Sequence, residues 1–426
     1  MVNFLVEFLS NPTIVIGLVA LLGLVLMKNK LTTVITGTLK TIFGFMILSA
    51  GASVIVGALI PFSAMFQSAF GLTGIVPEDN ALVAGVQTVL GFETPMIMLF
   101  SFVINIILAR VTPFKYIFLT GHMMFSFAGT MAIVLDQLGI NGWTAIIIGS
   151  IVQGVSMVVF PAISQRYTKR ILGSDDVAFG FWGSSLIVLS GFIAKKCRKK
   201  NSDENDTWEK VKVPEKLGFL KDMSILMGIV MVIVYVVTAI AAGKDVVTGL
   251  SGGKNWIAFV ILQALTFVAG ILILLQGVRM FLGEIIPAFK GISEKLVPGA
   301  RPALDVPIFY AYGPTATTIG FLCAVVGGLV ATFLSPLTGV VVLPGVIGLF
   351  FMGGAAGVFG DKLGGKRGAV IAGSFLGFAF TMIPALCYPL IDVTRYGISG
   401  LWFASTDAII VGVIMKLAGM IFGLGA

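Results

Sequence analysis

Two acidic residues stand two positions before a proline in comparable surroundings, Glu93-Thr-Pro95 and Asp305-Val-Pro307, and the chain has a single histidine, His122. A carboxylate can accept hydrogen bonds from hydroxyl groups, and an imidazole can donate, accept or titrate near neutral pH. Asp305 lies close in sequence to Tyr310, Tyr312, Thr315, Thr317 and Thr318, which add further hydroxyls, although an aspartate at that point also suits a helix cap. Glu93 reads either as its counterpart or as an ordinary helix-start carboxylate. His122 follows Thr120-Gly121, at the start of an apolar stretch, where a packing role competes with a ligand role. Asp407, in Ala404-Ser-Thr-Asp407, and the pair Ser184 and Ser185 complete the candidate binding residues. Phosphate loops, zinc-ligand pairs and a nucleophile triad are absent, so no metal, cofactor or catalytic residue is expected. Cys197, Cys323 and Cys387 are isolated and lack metal-ligand spacing.

These groups must be held by apolar elements. The chain is 57% hydrophobic and 11% charged, with a mean hydropathy of +1.04. That balance excludes an ordinary soluble domain. Charges sit in short islands between stretches long enough to cross a bilayer as helices. The net charge of +8 reflects loops beside an anionic leaflet, with no nucleic-acid motif nearby. About eleven crossings are expected in an all-α polytopic protein. No cleaved signal peptide is expected at Met1 to Ser10.

A phrase recurs along the chain. Gly44, Leu48, Gly51, Gly57, Ile60 and Pro61 are repeated by Gly270, Leu274, Gly277, Gly283, Ile286 and Pro287 at one constant offset. Gly121, Phe127 and Gly129 are similarly echoed by Gly345, Phe351 and Gly353, and Gly180-Phe-Trp182 by Gly400-Leu-Trp402. Basic islands put the amino terminus outside and the carboxyl terminus in the cytoplasm, with Pro77-Glu78-Asp79-Asn80 as an outer polar turn. Five crossings precede the hydrophilic stretch, so the second copy enters from the opposite side and the repeats should be inverted. The expected units are residues 1–194 with a re-entrant hairpin from Ile171 to Ala194, a cytoplasmic linker at 195–222, and residues 223–426 with a last helix. Gly283 to Pro298 reads as an amphipathic helix along the inner interface.

At these residues the chain resembles the ascorbate-type IIC permeases of the bacterial phosphotransferase system, within the ascorbate–galactitol superfamily. The resemblance rests on the block from Gly37 to Gly51, on Leu119 to Phe125, on Gln276 to Phe281 and on Ala288 to Ser293. Pro298 to Ala300, Asp305, Gly357 to Phe359 and Gly364 to Ala369 continue it. It implies inverted repeats, a dimerising V-shaped scaffold with a mobile core, residence in the bacterial inner membrane, and IIA and IIB partner proteins. IIB would phosphorylate the sugar. It also implies that His122, Asp305 and Asp407 contact the substrate and that the glycine helices belong to the scaffold.

Two departures from that pattern stand out. Ascorbate-handling members carry glutamines where Ser126-Phe127 stand, and a His-Gln pair where Gly183-Ser-Ser185 stand. Fewer donors and an additional carboxylate would oppose an anion, so a neutral sugar or polyol is an alternative to ascorbate. Two other functions compete on the residues alone. One is an ion-coupled transporter with Glu93, Asp305 and His122 as a proton relay. The other is a membrane enzyme acting on lipid.

Overall fold

A computed structural model describes residues 12–71, 74–198, 206–211 and 223–424. Within the described residues the chain is mainly helical, with six very short strands. The first half runs α1 (Pro12–Leu26), α2 (Leu31–Phe70), β1 (Gly74–Pro77), α3 (Asp79–Leu90), α4 (Glu93–Val111), β2 (Tyr116–Phe118), α5 (Gly121–Gln137), α6 (Gly142–Leu172), β3 (Ala178–Phe179) and α7 (Ser184–Lys196). The second half runs α8 (Met223–Ala242), α9 (Lys244–Leu250), α10 (Trp256–Leu296), β4 (Arg301–Leu304), a 3-10 segment (Val306–Tyr312), α11 (Pro314–Leu334), β5 (Val341–Val342), α12 (Val346–Cys387), β6 (Leu401–Trp402) and α13 (Thr406–Ile421).

Among the described residues, five helices are long and apolar enough to cross a membrane, or six if the α8–α9 pair, bent by 114°, forms one span. The expected count of about eleven crossings is not matched by helices of membrane length among the described residues. Some are short, such as the 17-residue α5 and 16-residue α13, whereas α2 and α10 reach 40 and 41 residues. The expected interfacial helix from Gly283 is not a separate element, because α10 continues without a break to Leu296. The side chains from 285 to 295 and most of the 195–222 linker lie outside the described residues. So does the Met1–Ser10 start.

The repeated phrase lies on α2 and α10, which pack along each other. At Gly270 a Cβ would fall 3.0 Å from the Ile55 backbone nitrogen, so glycine permits this crossing. Lys40 and Glu284 join the same two helices at 3.0 Å.

The strands form two parallel three-stranded sheets, in orders β5-β1-β6 and β2-β4-β3. Each therefore has a central strand from one half and both flanks from the other. β-Branched and aromatic residues in Gly74-Ile-Val-Pro77 and Tyr116-Ile-Phe118 favour extended backbone, and their burial matches the habit of parallel strands. The echoed tryptophans are both wholly buried and donate from Nε1, Trp182 to the Met123 carbonyl at 2.7 Å and Trp402 to the Ile391 carbonyl at 3.1 Å.

Between Lys362 and Arg367, where cations separate two apolar stretches, Gly365 adopts φ 74°. This left-handed conformation folds α12 back on itself, so a Cβ on Gly360 would lie 2.4 Å from the Gly368 carbonyl oxygen. Both arms pack against α11. A Cβ on Gly357 would meet the Ala316 oxygen and one on Gly377 the Ala324 oxygen, which forces glycine at these contacts.

Candidate functional site

The six strands do one job in common: each leads at its carboxyl end into a turn that starts a helix. After β1 come Glu78 and Asp79, after β4 Asp305, after β2 Thr120-Gly-His122, and after β3 the Ser184–Ser185 start of α7. β5 leads to Gly345–Gly348, and β6 leads to Ala404–Asp407. Inter-half pairing of the strands brings several of these turns to one cavity of about 390 Å³. That volume suits a small polar molecule. Glu78, Asp79, Asn80, His122, Asp305, Ala404 and Ser405 line it, with Met123, Phe181, Ile347, Phe351 and Phe380 as apolar wall. α10 also contributes Arg279 and Gly283 to the lining.

His122 and Asp305 face one another, Nε2 to Oδ2 at 3.7 Å. Their side chains are 22% and 32% exposed, so both reach the cavity. The gap exceeds a hydrogen bond and leaves each group capacity for a hydroxyl between them. Asp305 Oδ1 accepts from the Val306 amide at 2.7 Å and so also caps the 3-10 segment. Both sequence readings of Asp305, cap and cavity group, thus describe the same side chain.

Glu78 caps α3 by accepting from the Ala81 amide at 2.5 Å. Asp79 crosses to the other half, accepting from the Ala404 amide at 2.9 Å and from the Ser405 hydroxyl at 2.5 Å. Both acids are almost fully buried. Pro77 to Asn80 is therefore a buried turn rather than a solvated loop. Its main-chain and carboxylate groups are consumed by β6, α3 and the start of α13, which draws the segment inside. Glu78, Asp79 and Arg279 are cavity residues that the sequence reading missed. A signal existed in the short extended run Gly74-Ile-Val-Pro77 ahead of an acid, matching Arg301-Pro-Ala-Leu304 ahead of Asp305.

The other expected site residues are placed elsewhere. Asp407 is fully buried and serves the start of α7. It accepts from the Ser185 amide and the Ser184 hydroxyl, each at 3.3 Å, and closely from the Ser185 hydroxyl. These three residues form a lock between the halves and do not line the cavity. Glu93 begins α4, accepts from the Gly142 amide at 3.3 Å, and is likewise absent from the cavity wall. Its structural position differs from that of Asp305, which matches Glu78 in following the central strand of a sheet.

Outside the apolar spans, Asp175 bonds Arg301 at 2.9 Å and thereby holds the first residue of β4. The Gln165 amide, with Arg301 and Lys169, keeps its carboxyl below the usual range. No cluster of histidine, cysteine and acids suited to a metal ion occurs among the described residues.

Residues 7–423 match the family described as the sugar-specific permease component of the phosphotransferase system. The chain belongs to this family. It is also similar to a protein from Mycoplasma pneumoniae named ascorbate-specific PTS system EIIC component, at 28% identity over 431 residues. The match covers 88% of this chain and 64% of that protein, so the chain spans under two thirds of its relative's length.

Proposed function

We propose that this protein is the IIC permease of a phosphoenolpyruvate-dependent sugar phosphotransferase system. It carries ascorbate or a related sugar or polyol across the bacterial inner membrane for phosphorylation by IIB. The observation that carries this reading is the His122–Asp305 pair facing a solute-sized cavity at the convergence of six strand ends. Family membership supplies the transport context.

The cavity is lined by α10 and by turns from both sheets. In this reading the α2–α10 pair is scaffold and the sheet-bearing elements are a core that slides past it. Movement of that core would uncover the cavity to one side of the membrane and then the other. The exchange of strands supports an inverted pair of repeats, with β1, β2 and β3 matching β4, β5 and β6. Residues 1–194 and 223–426 are then the two units, joined by the linker at 195–222. A homodimer through the scaffold, an outer amino terminus and a cytoplasmic carboxyl terminus complete the proposed organisation.

Chemically, the chain's task is positioning. Asp305 accepts a hydrogen bond from a solute hydroxyl while His122 donates or accepts at a neighbouring one, which fixes the solute in the cavity. Phosphate passes from phospho-IIB to the accepting hydroxyl, and phosphoryl transfer of this kind depends chiefly on alignment and charge stabilisation. No residue of this chain needs to become phosphorylated.

Vesicles containing the purified protein test this directly. Phosphorylated solute should accumulate only when IIA, IIB, the general phosphocarriers and phosphoenolpyruvate are supplied. The acids around His122 also favour a second reading, proton-coupled transport. Uptake of unmodified solute driven by a proton gradient would establish that reading and displace the first.

A further inference from the structure

Helix amino termini attract anions, because their first amides are unpaired and the helix dipole is positive there. A cavity surrounded by such termini would ordinarily be an anion site. Here the chain brings its own carboxylates to several of them. Glu78 takes the Ala81 amide at the start of α3, and Asp305 takes the Val306 amide. Asp79 takes the Ala404 amide and the Ser405 hydroxyl just before α13. All three acids line the cavity, and each arrives as an acceptor of hydrogen bonds donated by the chain.

Against these three carboxylates the lining offers Arg279, from α10, and His122, which faces Asp305. Arg279 is exposed and has no hydrogen bond or ion pair among the described residues. The wall formed by the strand turns is thus acidic and accepts hydrogen bonds, whereas an anion requires donors and positive charge. Hydroxyl groups, which donate, fit it well.

We infer that Asp79, with Glu78 beside it, makes this cavity selective for an uncharged polyhydroxylated solute and excludes anions, ascorbate among them. The inference rests on reading the chain as a sugar permease and narrows its substrate class. It adds a consequence for direction. Phosphorylation turns a neutral solute into a dianion beside the same carboxylates, and like charges at close range repel. The product is therefore expelled from the cavity that held the substrate.

Calorimetric titration of the full-length protein in nanodiscs at pH 7 tests this. The neutral probes are galactitol, xylitol and glucose, and the anionic probes are L-ascorbate and a hexitol phosphate. At least one neutral probe should bind roughly tenfold or more tighter than either anion, the scale of one mispaired charge. Asp79→Asn keeps an acceptor for the Ala404 amide and offers its own NH2 to the Ser405 hydroxyl oxygen while removing the charge, and should shrink that ratio by about tenfold. Glu93→Gln removes a carboxylate outside the cavity and should leave the ratio as in the wild type. Ascorbate binding as tightly as every neutral probe overturns the inference, as does a ratio unchanged in Asp79→Asn. If Asp79→Asn does not fold, the wild-type ratio decides alone. Phosphorylation by IIA and IIB is scored separately. A neutral probe that binds without being phosphorylated upholds the selectivity and removes the permease reading, while phosphorylation of ascorbate in preference to neutral probes does the reverse.

Discussion

The turn after β1 and the turn after β4 occupy matching places in their sheets, yet they differ in what their acids do. After β1, Glu78 and Asp79 are nearly buried, and Asp79 spans the halves to Ala404 and Ser405. A regular 12-residue helix follows. After β4, Asp305 keeps one oxygen on the Val306 amide and turns the other toward His122 and the cavity, and a seven-residue 3-10 segment follows. One turn is tied into the fold, the other is left with unused hydrogen-bonding capacity. The two sheets thus supply two matching positions after their central strands, and in the proposed account the differing partners make one an anchor and the other a contact point.

The largest expected effect comes from removing the contact. Asp305→Asn retains the cap but loses the charge, and solute affinity should fall on the order of hundredfold, the equivalent of about 3 kcal/mol for a hydrogen bond to a charged group. The folded yield should hardly change. Titration calorimetry alongside a melting curve separates the two, and a large melting shift with normal affinity would erase the distinction between the turns.

Next is the other inter-half lock. Asp407→Ala leaves the buried Ser184 and the half-buried Ser185 groups without their acceptor, so stability should drop by about 2 kcal/mol. Thermal denaturation would reveal it, and affinity per folded molecule should be nearly unaltered.

Gly180→Ala sharpens the comparison from the strand side. Its Cβ would lie 2.6 Å from the Ala303 carbonyl oxygen, backbone that cannot easily yield, so roughly 1–3 kcal/mol of stability should be lost. Because β3 pairs with β4, solute affinity should weaken along with it, unlike the Asp407 variant.

The smallest effect belongs to Asp175→Asn, at a partly exposed ion pair worth less than about 1 kcal/mol. Since the folded-state carboxyl titrates below its usual range, its contribution is complete above the ordinary carboxylate pKa and is lost as pH falls through the lowered value. Melting curves for wild type and variant should therefore converge at acid pH.

Much of this was legible in the sequence because charge is scarce in apolar surroundings. His122 and Asp305 stood out as ionisable groups at helix starts, and they meet in the cavity. The break between two apolar arms near Lys362 and Arg367 was marked by its cations. Strands of two to four residues are too short to display an alternating pattern, so the sheets were invisible, and with them the inward course of Glu78 and Asp79. Glu93 attracted attention through its Glu-Thr-Pro spacing. α3 stands between β1 and Glu93, so the acid that follows the central strand of its sheet, as Asp305 does, comes earlier, at Glu78. Asp407, Ser184 and Ser185 were each marked as polar, but their mutual bonding depends on a contact between residues far apart in the chain.

The central claim is that the solute sits between His122 and Asp305. Electron cryo-microscopy of the protein with its tightest-binding solute tests this most directly. Solute density within hydrogen-bond distance of both side chains, bounded across the cavity by α10, is the expected result. Density elsewhere, with the His122–Asp305 space unfilled, would contradict it.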